Sequence, residues 1–592
     1  MSIENLSSLV SGDIWDIPQS WEWVSISQIS SIISGGTPST KVEQYYNGDI
    51  SWITPADMST HKGIYIERGR RNISQYGLEN SSAQILPKGT VLFSSRAPIG
   101  YVAIAANEVA TNQGFKSFIP EESISSTFLY YWLIFAKPFA EKLASGTTFL
   151  EISGSKSALL PFPLAPEKEQ NRIVDKLEEL FSELDSGVKE LKSAQIKLTQ
   201  YRQSLLKSAV EGSLTQQWRE ANSGSINETG AQLLDRILTE RRELWEKQKL
   251  AEFKAKDKKP PKNWQAKYPE AATPDISDLP ELPIGWVWAT IDQLAINKRY
   301  GSSSKTNDDS SGVPVLRMGN IQDGKLDYGN LKFLPVDHNE FPDLLLNDGD
   351  LLFNRTNSAE LVGKTAVYRD IGKPVSYASY LISVTFSEHV LPEIAVHYIN
   401  SVLGKKWLSE VMNQTAGQAN VNGTKLGHLA IPLPPSAEQK ALIDELSNEF
   451  DSVDRQVEAT ALGLKQSEAQ RKNILKSAFS GQLVPQDPND EPASELLERI
   501  KREREELAKQ AKPKKTRQPK KKVKLMDTLL EVLTAEDDWI DAQEAFQKSG
   551  VRKNTSSDVI EKIYLELREL VNSKQVEVKK VNKADKLRII KK

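Results

Sequence analysis

The feature that most constrains this chain is an internal repeat whose two copies lie a fixed distance apart. Residues 163–170 (PLAPEKEQ) return as residues 432–439 (PLPPSAEQ), and residues 206–212 (LKSAVEG) return as residues 475–481 (LKSAFSG), in each case 269 positions later. Because the offset is constant, neither copy has gained or lost a residue, so the length of the segment is restrained. The same offset relates Phe181 to Phe450, Asp185 to Asp454, and Arg202 to Arg471.

Each constant segment has the pattern of a long helix. In the first copy, Pro166 suits the first helical turn and Gly212 suits the residue that follows a helix. Apolar residues recur between them at the 3-4 spacing of a coiled-coil seam. The second copy begins near Ser436 with a capping-box arrangement. A single apolar stripe needs a partner, so we expect the spacer helices 166–212 and 435–482 to pair with each other.

The repeat extends more loosely into the residues that precede each helix. Residues 18–23 (PQSWEW) correspond to 283–288 (PIGWVW), and residues 89–96 (GTVLFSSR) correspond to 349–355 (GDLLFNR), with offsets that drift. Short β-rich runs separated by Gly, Pro, Asn and Asp predict a mixed α/β module with variable loops in each copy. The predicted order is a first module (15–165), a spacer helix (166–212), a charged helix and linker (213–282), a second module (283–434), a second spacer helix (435–482), a charged helix and basic linker (483–524), and a small C-terminal module (525–592).

The C-terminal module is predicted to contain three helices, at 525–533, 539–548 and 556–571, followed by a hairpin across residues 582–585. This pattern resembles a winged helix, which can bind either DNA or protein. The lysine-rich residues 512–522 are either a solvated tether or a non-specific phosphate contact.

Composition and motifs argue against catalysis by this chain. It has no cysteine, and therefore no disulfide, thiolate metal site or cysteine nucleophile. A phosphate-binding glycine loop, a glycine-rich cofactor turn and the tetrapeptide with which amino-methyltransferases hold a flipped adenine are missing, and the five histidines are scattered.

No apolar run is long enough to span a membrane and no secretion signal is visible, so we expect a cytoplasmic protein. The net charge of −3 argues against a protein that coats nucleic acid unaided.

Two variable modules, each followed by a helix that begins Pro-x-x-x-Glu-Gln and ends Leu-Lys-Ser-Ala-x-x-Gly, resemble the specificity subunit of type I restriction-modification enzymes over residues 15–484. The sequences GGTPS at 35–39 and SRAPIG at 95–100 are similar to phrases common in the target-recognition domains of that family. The chain departs from the family pattern in its last residues, because the usual chain ends soon after the second helix.

The resemblance implies an α+β fold, with two homologous mixed α/β target-recognition domains separated by two long antiparallel coiled-coil helices, plus the small winged-helix-like module. Each recognition domain would bind one half of a bipartite, asymmetric sequence in double-stranded DNA, and the helix pair would set the length of the gap between the two halves. Two methyltransferase (modification) subunits would bring S-adenosylmethionine, and translocase-nuclease (restriction) subunits would bring ATP and Mg²⁺ chemistry for phage defence. This chain itself would be a non-catalytic subunit without a cofactor or metal.

Side chains able to make bidentate contacts in the major groove, together with small polar groups on loops, are the candidates for base recognition. The candidate DNA-binding residues are Thr37, Ser39, Arg96, Asn112, Gln113 and Lys116 in the first module and Arg317, Asn320, Arg355, Asn357, Lys364 and Tyr380 in the second. Residues 146–148 and 417–420 lie at related positions before the helices and form either DNA contacts or tight turns.

Two alternatives remain open from the sequence. The chain could be the recognition subunit of another split methyltransferase or phage-defence complex. It could also be a coiled-coil protein scaffold that does not recognise DNA.

Overall fold

The computed structural model describes residues 15–96, 98–146, 150–415, 418–510, 529–536, 538–551, 557–581 and 584–590. These residues divide into two compact units. The first is built from the chain up to residue 188 and from residue 465 onward, and the second from residues 189–464. Each unit contains one module, the beginning of one long helix and the end of the other.

The first module is a mixed α/β domain, as predicted. Its elements are β1 (Glu22–Ser25), β2 (Ser30–Ser34), β3 (Tyr46–Ile53), α1 (Pro55–Met58), β4 (Tyr65–Ile66), β5 (Arg71–Ile73), α2 (Gln75–Glu79), β6 (Val91–Ser95), β7 (Ile99–Ala105), β8 (Ala110–Thr111), β9 (Phe115–Pro120), α3 (Ser126–Phe135), α4 (Lys137–Leu143), α5 (Gly154–Ser157) and β10 (Pro161–Leu164). One sheet has the order β2-β9-β6-β7-β4, a smaller one has the order β5-β3-β8, and β1 pairs with β10. Buried Phe93, Phe118 and Trp132 lie in the core between the main sheet and α3.

The first long helix and the connection after it follow. They comprise α6 (Glu167–Val210), α7 (Gln216–Ala221) and α8 (Gly230–Ala255). The predicted helix 166–212 is therefore confirmed to within two residues at each end. Gly212 has a φ of +67°, the left-handed conformation expected of a residue that follows a helix.

The second module repeats the strand order of the first. Its elements are β11 (Val287–Thr290), α9 (Ile291–Leu294), β12 (Ala295–Tyr300), β13 (Val313–Leu316), β14 (Ile321–Gln322), β15 (Lys325–Leu326), β16 (Lys332–Leu334), β17 (Leu351–Asn354), β18 (Thr356–Asn357), β19 (Thr365–Val367), β20 (Ser376–Tyr377), β21 (Leu381–Phe386), α10 (Pro392–Asn400), α11 (Val402–Val411), β22 (Asn413–Thr415), β23 (Gln418–Asn420), α12 (Gly423–Gly427) and β24 (Ala430–Leu433). The sheets β12-β21-β17-β19 and β16-β13-β20 match β2-β9-β6-β7 and β5-β3-β8. Both modules therefore have one fold, although their loops differ.

The second long helix, α13 (Ser436–Phe479), has the same length as α6, 44 residues. In the first unit, its last turns pack against the first turns of α6 and against the first module. The Arg471 guanidinium lies 4.3 Å from the centre of the Phe181 ring and forms an ion pair with Asp185. The side chain of Phe479 is fully buried against Phe128 and Trp132. The two helices run antiparallel in this unit.

The second unit contains the same arrangement with the helices exchanged. Arg202 of α6 lies 4.6 Å from the centre of the Phe450 ring and donates a 2.7 Å hydrogen bond to Asp454 of α13. These are the residues that keep the constant offset in the sequence. The restraint on helix length therefore has a structural cause, because each arginine must meet an aromatic ring and a carboxylate on the other helix.

The Glu-Gln pair at the start of each helix attaches that helix to its module. Buried Glu169 accepts a 2.9 Å hydrogen bond from the Trp21 indole, and Gln170 accepts one from the backbone N–H of Ser125. In the second unit, Glu438 accepts from Trp286 at 2.8 Å and Gln439 from the backbone of Leu391. Carboxylates also suit these positions because a helix N-terminus carries partial positive charge.

A shorter helix completes each module after the long helix has ended. In the second unit, Leu233 and Ile237 of α8 are buried in the module core. In the first unit, Leu496 and Ile500 of the following helix, α14 (Ala493–Gln510), are buried likewise. The sequence Leu-Leu-x-Arg-Ile occurs at residues 233–237 and again at residues 496–500, and the two equivalent packing sites explain this repeat.

The described part of the C-terminal module contains three helices and a hairpin, as predicted, whereas residues 525–528 and 556 of the predicted helices and residues 582–583 of the predicted turn lie outside the described residues. Its described elements are α15 (Leu529–Ala535), β25 (Ile540–Asp541), α16 (Ala542–Lys548), α17 (Ser557–Asn572), β26 (Val576–Val581) and β27 (Ala584–Ile589). The predicted helix 539–548 is shorter than expected, because Ile540 pairs with Leu587 in a sheet of order β25-β27-β26. The predicted tether 512–522 lies outside the described residues. Within the described parts of the chain, no helix is long and apolar enough to cross a bilayer.

Candidate DNA interface

Most of the first module's candidates meet around the turn between β8 and β9. The hydroxyl of Thr37 donates a hydrogen bond to Gln113, and Asn112 accepts from the backbone N–H of Gly114 at 2.9 Å. The backbone N–H of Ser95 donates to the Gly114 carbonyl, which brings the end of β6, and with it Arg96, to the same turn. Exposed Ser39 follows on the same loop as Thr37. We name this group the first polar surface: Thr37, Ser39, Arg96, Asn112 and Gln113.

The glycine at position 35 makes this meeting of two loops possible. A Cβ atom added at Gly35 would collide with the backbone oxygen of Asn112. The equivalent Gly301 of the second module would collide with the Tyr377 carbonyl in the same way. A side chain at either position would separate the loop from the turn, so glycine is required for close backbone contact.

Lys116 lies inside the first module, unlike its neighbours in the candidate set. Only 4% of the residue is exposed, and its ammonium group donates a 3.1 Å hydrogen bond to the Ser34 hydroxyl. It therefore occupies a polar position between β2 and β9, away from the surface formed by the other candidates.

The second module places Arg355 among tyrosines. Its guanidinium lies 4.9 Å from the centre of the Tyr300 ring, and its backbone N–H donates a 2.9 Å hydrogen bond to the Tyr380 carbonyl. Tyr300 and Tyr380 are each nearly half exposed. Asn357 follows in β18, opposite Ala419 of β23. We name this group the second polar surface: Tyr300, Arg355, Thr356, Asn357, Tyr380 and Asn420.

The remaining candidates of the second module have other partners. Buried Asn320 accepts a hydrogen bond from the Arg317 backbone and donates one to the Asp327 carbonyl, so it stabilises its own loop. The Arg317 guanidinium donates a 2.7 Å bond to the Asn330 carbonyl. Lys364 donates a 2.8 Å bond to Gln322. The structure does not bring these residues into the second polar surface.

Strand register corrects one detail of the sequence comparison. The backbone N–H of Ser95 donates to the Gly114 carbonyl and that of Arg355 to the Tyr380 carbonyl, and these acceptors immediately precede the equivalent strands β9 and β21. Ser95, not Arg96, therefore occupies the position of Arg355. Arg96 corresponds instead to Thr356. Arg96 pairs with Glu151, which lies two positions before the N-cap of α5, and Thr356 pairs with Asn420, which lies two positions before the N-cap of the equivalent helix α12.

The sequence reasoning missed Tyr300 and Glu151, and it named Asn420 only as part of the segment 417–420. Glu151 and Asn420 are related by the constant offset of 269, so that signal was available in the sequence. Tyr300 immediately precedes Gly301, and its hydroxyl accepts a 2.8 Å hydrogen bond from the backbone of Gly423. Residues 147–148 and 417, named as possible contacts, lie outside the described residues.

A cavity of about 860 Å³ opens between the second module and the helix pair inside the second unit. Its lining includes Lys325, His397 and Asp454. The His397 ring lies 5.5 Å from Phe450, and burial, assisted by the charge of Arg202, lowers the pKa of its imidazole from 6.5 to about 4. His397 is therefore neutral at physiological pH. Among the described residues, no group of three or more potential ligands is arranged to hold a metal ion.

Comparison with known proteins accounts for the two modules and their helices. The family model for the type I restriction modification DNA specificity domain matches residues 18–193 and again residues 283–460. The chain belongs to this family. It is the DNA sequence-recognition subunit of a type I restriction-modification system, and it is non-catalytic because methylation and cleavage in these systems belong to other subunits.

Individual relatives agree with this assignment. The EcoKI specificity subunit of Escherichia coli K12 is 25% identical over 517 residues, which is 82% of this chain and 96% of that protein. The MjaIX specificity subunit of Methanocaldococcus jannaschii is 47% identical over 163 residues, 27% of this chain and only 37% of that protein. A solved chain from work on complex assembly and conformational transition of the type I R-M system has a TM-score of 0.56 at 16% identity, covering 79% of this chain and all of that one, so the fold is shared.

Proposed function

We propose that the two modules recognise the two halves of a bipartite, asymmetric DNA sequence and that the paired long helices set the gap between those halves. The observation that carries the proposal is the shared strand order and register of the modules, combined with different side chains on their polar surfaces. A common scaffold with different surface chemistry is what recognition of two unlike half-sites requires.

The helix pair has the properties of a spacer. Each helix has 44 residues and is therefore about 66 Å long. Successive major-groove faces of a duplex are about 34 Å apart, so a scaffold of this length is sufficient for two recognition domains on one side of the DNA. The Arg202–Asp454 and Arg471–Asp185 pairs favour one register of the two helices within each unit.

The first and second polar surfaces supply the recognition chemistry. Arg96 and Arg355 can donate two hydrogen bonds to guanine, and Asn112, Gln113 and Asn357 suit adenine. Partly exposed Tyr380 offers a ring and a hydroxyl. Lys116 and Asn320 would act indirectly, by holding the loops that carry the other residues, and Arg317 and Lys364 suit phosphate contacts.

We further propose that two modification subunits dock on this chain, one for each repeat, and that translocase-nuclease subunits join that assembly. The near-neutral net charge of the chain fits a DNA channel that the partner subunits complete.

Exchanging residues 15–165 for the matching module of a relative tests the proposal. The assembled complex should then methylate a target in which one half has changed and the other half has not. Methylation-sensitive sequencing of host DNA measures both halves at once. An unchanged target would contradict recognition by this module, and a change in both halves would contradict independent recognition.

A further inference from the structure

One structurally equivalent position in the two modules carries two chemically different residue pairs. In the first module, Arg96 follows β6 and lies opposite Glu151. In the second module, Thr356 follows β17 and lies opposite Asn420. The equivalence rests on backbone pairing and not on sequence similarity, since the residues themselves differ.

The first pair is an ion pair at the edge of the first polar surface. The Arg96 Nη1 and Glu151 Oε2 atoms are 3.6 Å apart, and the side chains are 35% and 19% exposed. At this separation the carboxylate orients the guanidinium without enclosing it. A guanidinium presents N–H groups in a planar fork that matches the N7 and O6 atoms of guanine, and a carboxylate oxygen accepts from the N4 amino group of cytosine.

The second pair is a neutral hydrogen bond. The Asn420 amide donates to the Thr356 hydroxyl at 2.8 Å, and both residues are partly exposed. The amide group has a second N–H and a carbonyl oxygen, the two groups that adenine N7 and N6 require, while the threonine methyl suits the thymine methyl. Exposed Tyr380 lies beside this position, through its bond to the Arg355 backbone.

We propose that this position selects one base pair in each half-site: G·C through Arg96 and Glu151 in the first module, and A·T through Thr356 and Asn420 in the second. The proposal rests on the proposed function of the modules and adds the identity of one base pair in each half-site. Because the backbones at the position are equivalent, exchanging the pairs should exchange the preferences.

The test uses the assembled complex of this chain with its modification subunits and a duplex library randomised in both half-sites. The graft Arg96→Thr with Glu151→Asn should change one base pair of the first half-site from G·C to A·T, with about a 10- to 100-fold change in relative preference, and leave the second half-site unaltered. Thr356→Arg with Asn420→Glu should do the reverse. The control replaces the surface ion pair Lys137–Glu141 by the same Thr and Asn residues and should change no base.

Each result decides the proposal. A graft that retains the original preference at every position overturns it. If the first-module graft abolishes base selection in the first half-site, the single substitution Arg96→Lys decides the proposal, because lysine keeps the charge but lacks the planar fork of N–H donors. Loss of G·C preference at one position then supports the proposal, and an unchanged preference at all positions overturns it. A natural complex that shows no base preference in the first half-site would instead refute the proposed function itself.

Discussion

Substituting the buried carboxylate at the start of each long helix should destabilise the two units to different extents. In the second unit, Glu438 is fully buried and accepts hydrogen bonds from the Trp286 indole (2.8 Å), the Thr215 hydroxyl (2.7 Å) and the Arg219 guanidinium (2.9 Å). In the first unit, equivalent Glu169 accepts only from neutral groups among its described hydrogen-bond donors, the Trp21 indole and the Gln486 amide.

The expected costs follow from the charge of the partners. Glu438→Gln leaves the Arg219 charge, which is 18% exposed, without its counter-ion, and breaking a buried pair costs about 3 kcal/mol at the low end of the usual range. Glu169→Gln replaces one carboxylate oxygen by an amide N–H, which then faces the N–H donor of Trp21 or of Gln486; this unpaired neutral contact costs about 1–2 kcal/mol. The equilibrium constant for local opening should therefore increase roughly 100-fold in the second unit and roughly 10-fold in the first.

Hydrogen exchange measured by mass spectrometry can detect both effects in the full chain. Peptides from residues 213–237 report on Glu438→Gln, and peptides from residues 480–500 report on Glu169→Gln. Glu252→Gln, on an exposed face of α8, is the control and should leave protection unchanged. Equal losses at the two buried positions, or full protection in Glu438→Gln, would refute this reasoning.

Three further predictions concern the units. Because the pKa of His397 is about 4 in the folded state, that state binds fewer protons than the unfolded chain, so the second unit should lose stability as pH falls from 6.5 toward 4; His397→Gln should flatten this dependence in denaturant titrations. Phe479→Ala should cost the first unit about 3–5 kcal/mol by leaving a cavity among aromatic rings, detected as faster exchange of residues 485–500. A double-mutant cycle on Arg202 and Asp454 should give a coupling of only about 1 kcal/mol, since both side chains are partly exposed; a value near zero would show that the pair does not hold the register.

Local signals in the sequence were sufficient to predict the long helices. Pro166, Gly212 and the 3-4 apolar spacing act within a few residues of one another, and the helix α6 begins and ends within two residues of the prediction. The predicted helix at 539–548 was partly wrong because Ile540 pairs with Leu587, a contact that no local pattern reveals. The strand order of the modules likewise depends on distant pairings, so only their α/β class could be predicted.

The candidate site was only partly predictable for the same reason. Residue type made Arg96 and Arg355 candidates for base recognition, but it could not show that strand register separates them by one position. Lysine is usually found on the surface, yet the strand that contains Lys116 directs this side chain toward Ser34 inside the module. Glu151 was overlooked because its contact with Arg96 is made between segments distant in sequence.

The most direct test of the central claim is to lengthen both long helices together. Inserting seven residues after residue 188 of α6 and seven after residue 464 of α13 preserves the helical face and adds about 10 Å to each helix. At 3.4 Å per base pair, the gap in the methylated target should grow by about three base pairs, while both half-sites stay the same. Sequencing of the methylated sites measures this gap, and an unaltered gap with both half-sites still recognised would contradict the claim that the helices determine it.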